Sequence, residues 1–545
     1  MSEIQEPDEP GRPGLSCDVL VVGYGPVGIV CSALLADYGL KVIAVEKHPE
    51  RYKLHRAGHL DGEIMRVFQR LAVAEAIELH AQPLISMQLM TSEGETLSTV
   101  VSGRSGSGWK SDYLAHQPDY EPPLDSRARQ LGARILMGTA AESISQHADV
   151  VHTVVRDRTD PAARQYTIES RYVIGADGAG SFVRPAIGAQ RLDLGFEAVP
   201  HLVVDLEWSD PDIDLPHLPA AAQVLDIERP HLTGRWGGRR GARWEFAARE
   251  GETLEFLESE ETAWKLIGGW GIGPEHGTIV RHTVYTFESS ISDRWRAGRV
   301  FLMGDAAHTM PPFMGQGMLS GIRDAENLAW KLAAVLAGRA DETLLDTYQA
   351  ERGPHVRDFI ELSCRLGATI LATDPAQVQV RNEMLRSGQG PAPVVPRLGN
   401  VIVRSPDAPG ALDAPGADGR PSLQARVALD TRVDRLDNHF PVRGWRIVSR
   451  HPVPRGLFDD RQLRLLDSLD MQFAHISRGA HGDTSFYDID AEYDAWYASS
   501  GRKVFLERPD HYVYGTAQTV EEVPALVDEL AAVLAQHGWH AAYRK

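Results

Sequence analysis

The sequence predicts an α/β fold built on a parallel sheet, with a strand-rich segment inserted into it and a separate C-terminal unit. Three observations carry this prediction. A strand, a glycine turn, a helix and a second strand follow one another between Asp18 and Glu46. Short strands and turns fill residues 188–287, after which a buried strand at Val300–Met303 and a long helix restore the first pattern. Past residue 400 the texture changes once more.

Val19-Leu20-Val21-Val22 is a short continuous apolar run, as a strand buried on both faces requires. Gly23-Tyr24-Gly25-Pro26-Val27-Gly28 follows, then a helical stretch through Ala33 to Tyr38 that Gly39 stops. The next strand, Lys41–Val45, ends at Glu46. Such a β-α-β unit implies parallel strands and a right-handed crossover, a Rossmann-like arrangement. Gly23 permits the tight turn, Gly25 lets main chain approach a pyrophosphate, and Gly28 lets the helix pack closely. Pro26 and Val27 open that helix, whose free N–H groups and dipole favour phosphate. Glu46 stands where an acid accepts hydrogen bonds from a ribose diol, with Lys47 beside it.

Further along, Ser86 to Val101 alternates in short segments, and Gly103–Gly108 is loop. Strands are expected at Ala133–Met137 and Tyr172–Ile174. Gly237-Gly238 marks a turn within the strand-rich insertion. Ile322, Ala325, Ala329, Leu332 and Leu336 keep a helical period. Ser405–Gly419, dense in Pro, Asp, Ala and Gly, is a linker or long loop. Strands at Trp445–Val448 and Lys503–Leu506 and a helix over Val520–His537 follow.

Composition narrows the function. The 545 residues carry a formal charge of −19, which disfavours nucleic-acid and anionic-membrane partners. Cys17, Cys31 and Cys364 form no C-x-x-C pair, which suits a reducing cytoplasm. Residues 1–17 are acidic and rich in Pro and Gly, a disordered tail rather than a signal peptide. No apolar run is long enough to span a bilayer, so a cytoplasmic protein is expected. The 21 histidines show no H-E-x-x-H spacing, so no metal site is expected, and there is no G-x-S-x-G elbow. The basic run Arg235, Arg239, Arg240, Arg243 reads as a solvated face, with attraction of a substrate carboxylate or nicotinamide phosphate as the alternative.

Four segments go further. Tyr172–Ser181 (YVIGADGAGS) continues into Phe182-Val183-Arg184, and Gly304–Pro312 (GDAAHTMPP) precedes Gly315-Gln316-Gly317-Met318. Gly321–Leu332 and the stretch Arg56-Ala57, His59, Asp61, Glu63 complete the set. Taken in chain order over about residues 18–360, these blocks resemble those of the single-component FAD-dependent aromatic hydroxylases, in that family's order. It is most like the 3-(3-hydroxyphenyl)propionate hydroxylase branch, in the group that also holds phenol and polyketide hydroxylases.

The resemblance implies an FAD-binding domain over 18–187 and 288–400, with 80–110 partly in a β-rich substrate domain over 188–287. It implies a thioredoxin-like domain over 401–545, which lacks redox cysteines and so has a structural or dimer-forming role. Asp305, after Gly304, would accept from ribityl hydroxyls. Pro312, Gly315, Gln316 and Gly317 would lie against the flat ring, and the N–H groups of Met318 and Leu319 would stabilise negative charge on reduced flavin. Leu319 replaces the family's frequent Asn, removing a side-chain contact but not the backbone donor. Arg56 and Gln117 match contacts to the FAD phosphates and ribityl chain, and Asp177 matches a position near the pyrophosphate and nicotinamide path. His308 matches a loop-fixing residue. NADH or NADPH is the implied transient co-substrate, and O2, added at flavin C4a, the oxygen source for a small aromatic substrate. His59 is the first candidate to deprotonate a phenol and Asp61 the second; either could instead be a structural contact. An NAD-dependent dehydrogenase, for which the Gly304-Asp305 segment would have no purpose, and a non-catalytic flavin protein are the rivals. A flavin halogenase would carry a W-x-W-x-I-P pattern that is absent.

Overall fold

The fold is described from a computed structural model covering residues 15–540, except 104, 161–164, 197–198, 211, 237–239, 389–395, 405–417, 441, 443 and 480–484. Strand Leu15–Val22 lies between Gln165–Gly175 and Val42–Glu46, with Val300–Leu302 and Arg134–Met137 beyond them, all parallel. Val19, Leu20 and Val21 are wholly buried, which explains their uninterrupted apolar run. The strand starts at Leu15, paired with Ile168, so residues 15–17 belong to the sheet and not to the tail expected there. The acidic stretch before Leu15, Gly237-Gly238, Arg239 and most of the expected linker lie outside the described residues. Helix Pro26–Asp37 is buried along nearly its whole length, packed against the long helix Gly317–Leu336.

The inserted segment forms a second sheet in the order 277–286, 200–208, 241–247, 231–236, 221–224, 86–90, 96–101. Its last two strands come from the chain before the insertion and join through Gln88 opposite Ala222. Strand period decides which face does what. Leu202, Val204, Leu206, Trp244 and Phe246 pack with Ala263 and Ile267 of helix Glu260–Gly268. The intervening residues, including His201, Asp205, Arg243 and Glu245, take the other face. That face meets the nucleotide-binding half.

In the C-terminal unit, Arg446–Ser449 is parallel to Gln472–Ser477 and antiparallel to Val504–Glu507, which pairs with Val513–Ala517. Helices Asp460–Ser468 and Glu492–Ser500 connect these strands and Val523–Gln536 follows them. This is a thioredoxin-like strand order. Among the described residues, no helix is long and apolar enough to cross a membrane.

Candidate active site

The glycine turn is shaped from three directions. Gly23 has φ +97°, and a Cβ on it would overlap the Ala176 carbonyl. A Cβ on Gly28 would overlap the Gly23 carbonyl, so this glycine seats the helix on the turn itself. A Cβ on Gly25 would meet nothing within 4 Å. Gly25 is also the N-cap of helix Pro26–Asp37 and gives no side-chain cap to its first turn. Open space therefore lies at unpaired N–H donors, the cradle a pyrophosphate needs. Glu46 is held by the N–H groups of Tyr24 and His48, at 2.9 and 3.0 Å, one on each carboxylate oxygen. Lys47 is exposed beside it.

A second uncapped helix end stands nearby. Gln316 caps Gly317–Leu336 with no side-chain bond to the first turn, so the N–H groups of Gly317, Met318 and Leu319 are free of a cap. Val27 packs against Gly304 and Gly321, and Gly321 admits no more than a hydrogen toward it, since a Cβ there would come within 2.6 Å of the Val27 side chain. The two helix ends are thereby held against one another. Leu319 is fully buried, and the sulfur of Met318 accepts a hydrogen bond from Tyr120 at 3.1 Å. Asp305 is open to solvent, yet the surrounding protein is dense enough that burial raises its carboxyl above the ordinary value. His308 is buried and bonds Asp324 at 2.7 Å, while Asp324 also accepts from the Gly304 N–H and from Arg352. His308 fixes the loop, as expected.

Other expected residues are placed differently. The carboxylate of Asp177 turns back into its own loop and accepts from the N–H groups of Phe182 and Val183 at 2.7 and 3.1 Å. Only its backbone borders the glycine turn, its Cα lying 2.7 Å from where a Gly23 Cβ would be. Gln117 accepts from the Ala57 N–H at 3.1 Å and donates to Glu121 at 2.6 Å, so it braces the 55–57 loop. Burial pushes Glu121 up to about 7. Arg56 is exposed, its guanidinium 4.1 Å above the Tyr52 ring. Arg243 corrects the solvated-face expectation. It is buried, paired with Asp205 at 2.7 Å, and donates to the carbonyls of His55 and Arg56, tying the inserted sheet to the loop before His59. Arg235 donates to the carbonyls of Leu215 and Leu218, and Arg240 pairs with Asp119.

Asp61 is a correction too. One oxygen caps helix Gly62–Arg70 through the Ile64 N–H and the other pairs with Arg323, so it serves structure and is not free as a base. His59 is flanked by acceptors on both nitrogens: Asp112 is 2.9 Å from Nε2 and the Gly315 carbonyl 3.4 Å from Nδ1. Gly315 is left-handed at φ +63°, and a Cβ there would come within 3.0 Å of His59. Burial opposes a charge on His59, but the bond and charge of Asp112 outweigh it, and its pKa lies above the ordinary value. Two acceptors suit an imidazolium and leave no lone pair for a substrate proton. His59 is thus engaged at both nitrogens, and Asp112 is the partner that sequence reasoning missed.

Between the polar face of the inserted sheet and the turn Pro312–Met314 lies a recess lined by His201, Gln223, His231, Glu245, Pro312 and Phe313. None of the first four belongs to a motif. His231 is satisfied on both nitrogens, by the Arg229 carbonyl and the Trp270 indole. Among the described residues, His201 is tied through Nδ1 alone, 2.8 Å from the Val199 carbonyl. Burial lowers its pKa and raises that of Glu245.

The family described as "FAD binding domain" matches residues 16–363, and "HcaD C-terminal domain" matches 419–533. A Rhodococcus jostii (strain RHA1) protein named "Probable NADH-specific resorcinol 4-hydroxylase" is 33% identical over 98% of both chains. The chain belongs to the FAD-dependent aromatic hydroxylases. A 3-(3-hydroxy-phenyl)propionate/3-hydroxycinnamic acid hydroxylase of Escherichia coli (strain SMS-3-5 / SECEC) is 28% identical over 97% of both. The fold matches the flavin-dependent monooxygenase PieE in complex with FAD and substrate, with TM-score 0.80 and 20% identity over 96% of this chain and 100% of that one. Aklavinone-11 hydroxylase with FAD and aklavinone gives TM-score 0.77 at 24% identity, over 96% and 100%. Aromatic hydroxylation with FAD and a nicotinamide co-substrate is therefore the activity of this hydroxylase.

Proposed function

We propose that a small phenol is seated at the mouth of this recess, whose roughly 10 Å³ interior has room for about one water, and that His201 accepts its proton. One observation carries this reading. The Val199 carbonyl fixes the proton of His201 on Nδ1, leaving Nε2 an acceptor in a neutral ring that lines the recess. A free phenol has pKa ~10, so attack by an electrophilic oxygen at neutral pH benefits from a base at its hydroxyl. Glu245, its carboxyl raised by burial, supplies a hydrogen bond donor on the same wall when protonated.

In this reading Gly23–Gly28, Glu46 and Asp305 would hold FAD, and the uncapped N–H groups of Gly317, Met318 and Leu319 would meet its ring. When bound, it supplies the redox chemistry, taking electrons from the nicotinamide and activating O2. His59, held as a cation, offsets negative charge beside that helix end. The name of the Rhodococcus relative supports NADH and a ring of resorcinol size. Three unpaired cysteines fit work in a reducing cytoplasm.

The test is NADH consumption and product mass with resorcinol, 3-(3-hydroxyphenyl)propionate and bulkier phenols. His201→Gln keeps an acceptor but cannot take a proton, so hydroxylation falls on the order of 10²-fold while FAD content holds. Wild-type activity falls as pH drops through the lowered His201 pKa, because protonation removes the acceptor. Unchanged turnover and pH profile in His201→Gln would remove His201 from this role.

A further inference from the structure

The segment Glu507–Tyr512 of the C-terminal unit is buried against the back of the nucleotide-binding half. Arg508 pairs with Glu351 at 2.7 Å, and Asp510 accepts from Asn327 and Trp330 of the long helix Gly317–Leu336. Tyr512 donates to Glu63 at 2.6 Å. The other Glu63 oxygen accepts from Arg323 at 2.7 Å, and Arg323 also pairs with Asp61 and donates to the Gln316 side chain at 2.9 Å. Gln316 is the N-cap of the helix end at which the flavin ring is placed. A continuous set of bonds thus runs from the thioredoxin-like unit to that end.

We infer that Tyr512 is a positioning residue for the flavin: through Glu63 and Arg323 it holds Gln316, and so aims the N–H groups of Gly317–Leu319. Three facts support transmission over mere packing. The side chain of Arg323 is only 4% exposed, so solvent cannot replace a lost partner. All three of its nitrogens are engaged, so displacement of one acceptor re-aims the fork. Asp61 caps helix Gly62–Arg70, which fixes the far side of the same fork. The unit without redox cysteines therefore acts on the chemistry by bracing the cofactor. This rests on FAD lying at that helix end.

The experiment uses full-length protein with FAD. Tyr512→Phe removes one hydroxyl and is compared with Tyr493→Phe, which removes another buried hydroxyl of the same unit that bonds only within it. Tyr512→Phe raises the FAD dissociation constant roughly fivefold. It lowers the two-electron midpoint potential by about 20 mV, a fivefold loss of preference for reduced flavin at ~30 mV per tenfold. Tyr493→Phe leaves both at wild-type values. If Tyr512→Phe does not fold, Glu63→Gln breaks the same link and moves both readings the same way. Wild-type FAD affinity and potential in a folded link variant, or an equal change in Tyr493→Phe, would overturn the inference. Failure of wild-type protein to bind FAD would instead overturn the placement of the cofactor.

Discussion

Around His59 two acceptors favour the charged ring that we propose. A neutral ring would set a lone pair against either the Asp112 carboxylate or the Gly315 carbonyl, whereas the imidazolium satisfies both. His59→Gln is expected to lower the flavin midpoint potential by roughly 30 mV, the equivalent of ~1.4 kcal/mol for two electrons. Dye-equilibration measurements across pH check it. The gap from wild type is full below the ordinary histidine pKa and closes as pH rises through the raised folded value, because the charge is then lost. A gap that widened with pH would contradict a cation at this position. Gly23, Gly25, Gly28, Glu46 and Asp305 were legible in the sequence because each sits in a contiguous motif whose spacing has a mechanical reason. His59 and Asp61 were legible as positions but not as roles. Their partners, Asp112 and Arg323, arrive from a paired strand and a packed helix that no local spacing announces. His201 and Glu245 were hidden for the same reason.

Among elements, the two helix N-termini matter most. Both lack side-chain caps, a condition that leaves orphan donors for a ligand to meet. Gly25 gives a clean separation of fold from binding. Its backbone is ordinary at φ −76°, and no atom lies near a Cβ placed there. Gly25→Val should therefore lower apo stability by only about 1 kcal/mol, the cost of a poorer N-cap, while weakening FAD binding at least tenfold, read by apo-protein melting and flavin titration. Normal FAD affinity in this variant would show that the cofactor does not lie over Gly25. The strand at Leu15–Val22 was legible in its apolar core, but its first turn of pairing was not, since Leu15-Ser16-Cys17 lacks that run. The basic run misled because strand alternation sends Arg243 to a buried face that a list of charges cannot distinguish from solvent.

Taken as a whole molecule, the chain forms a recess between the inserted sheet and the turn Pro312–Met314, and backs the nucleotide-binding half with a thioredoxin-like unit. The change of texture near residue 188 was visible, but the recruitment of strands 86–101 into the inserted sheet was only partly so. Their alternation suits any half-exposed strand, and pairing with residues 221–224 is a long-range fact. Pro312 and Phe313 of the motif segment and the inserted sheet line the recess where we propose that the phenol is seated. Incorporation of labelled oxygen tests it most directly: the FAD-loaded protein is given NADH, isotopically labelled O2 and resorcinol or a related phenol. One labelled oxygen atom should enter the ring for each NADH consumed. Labelled peroxide with no hydroxylated product across the phenol panel would contradict the account.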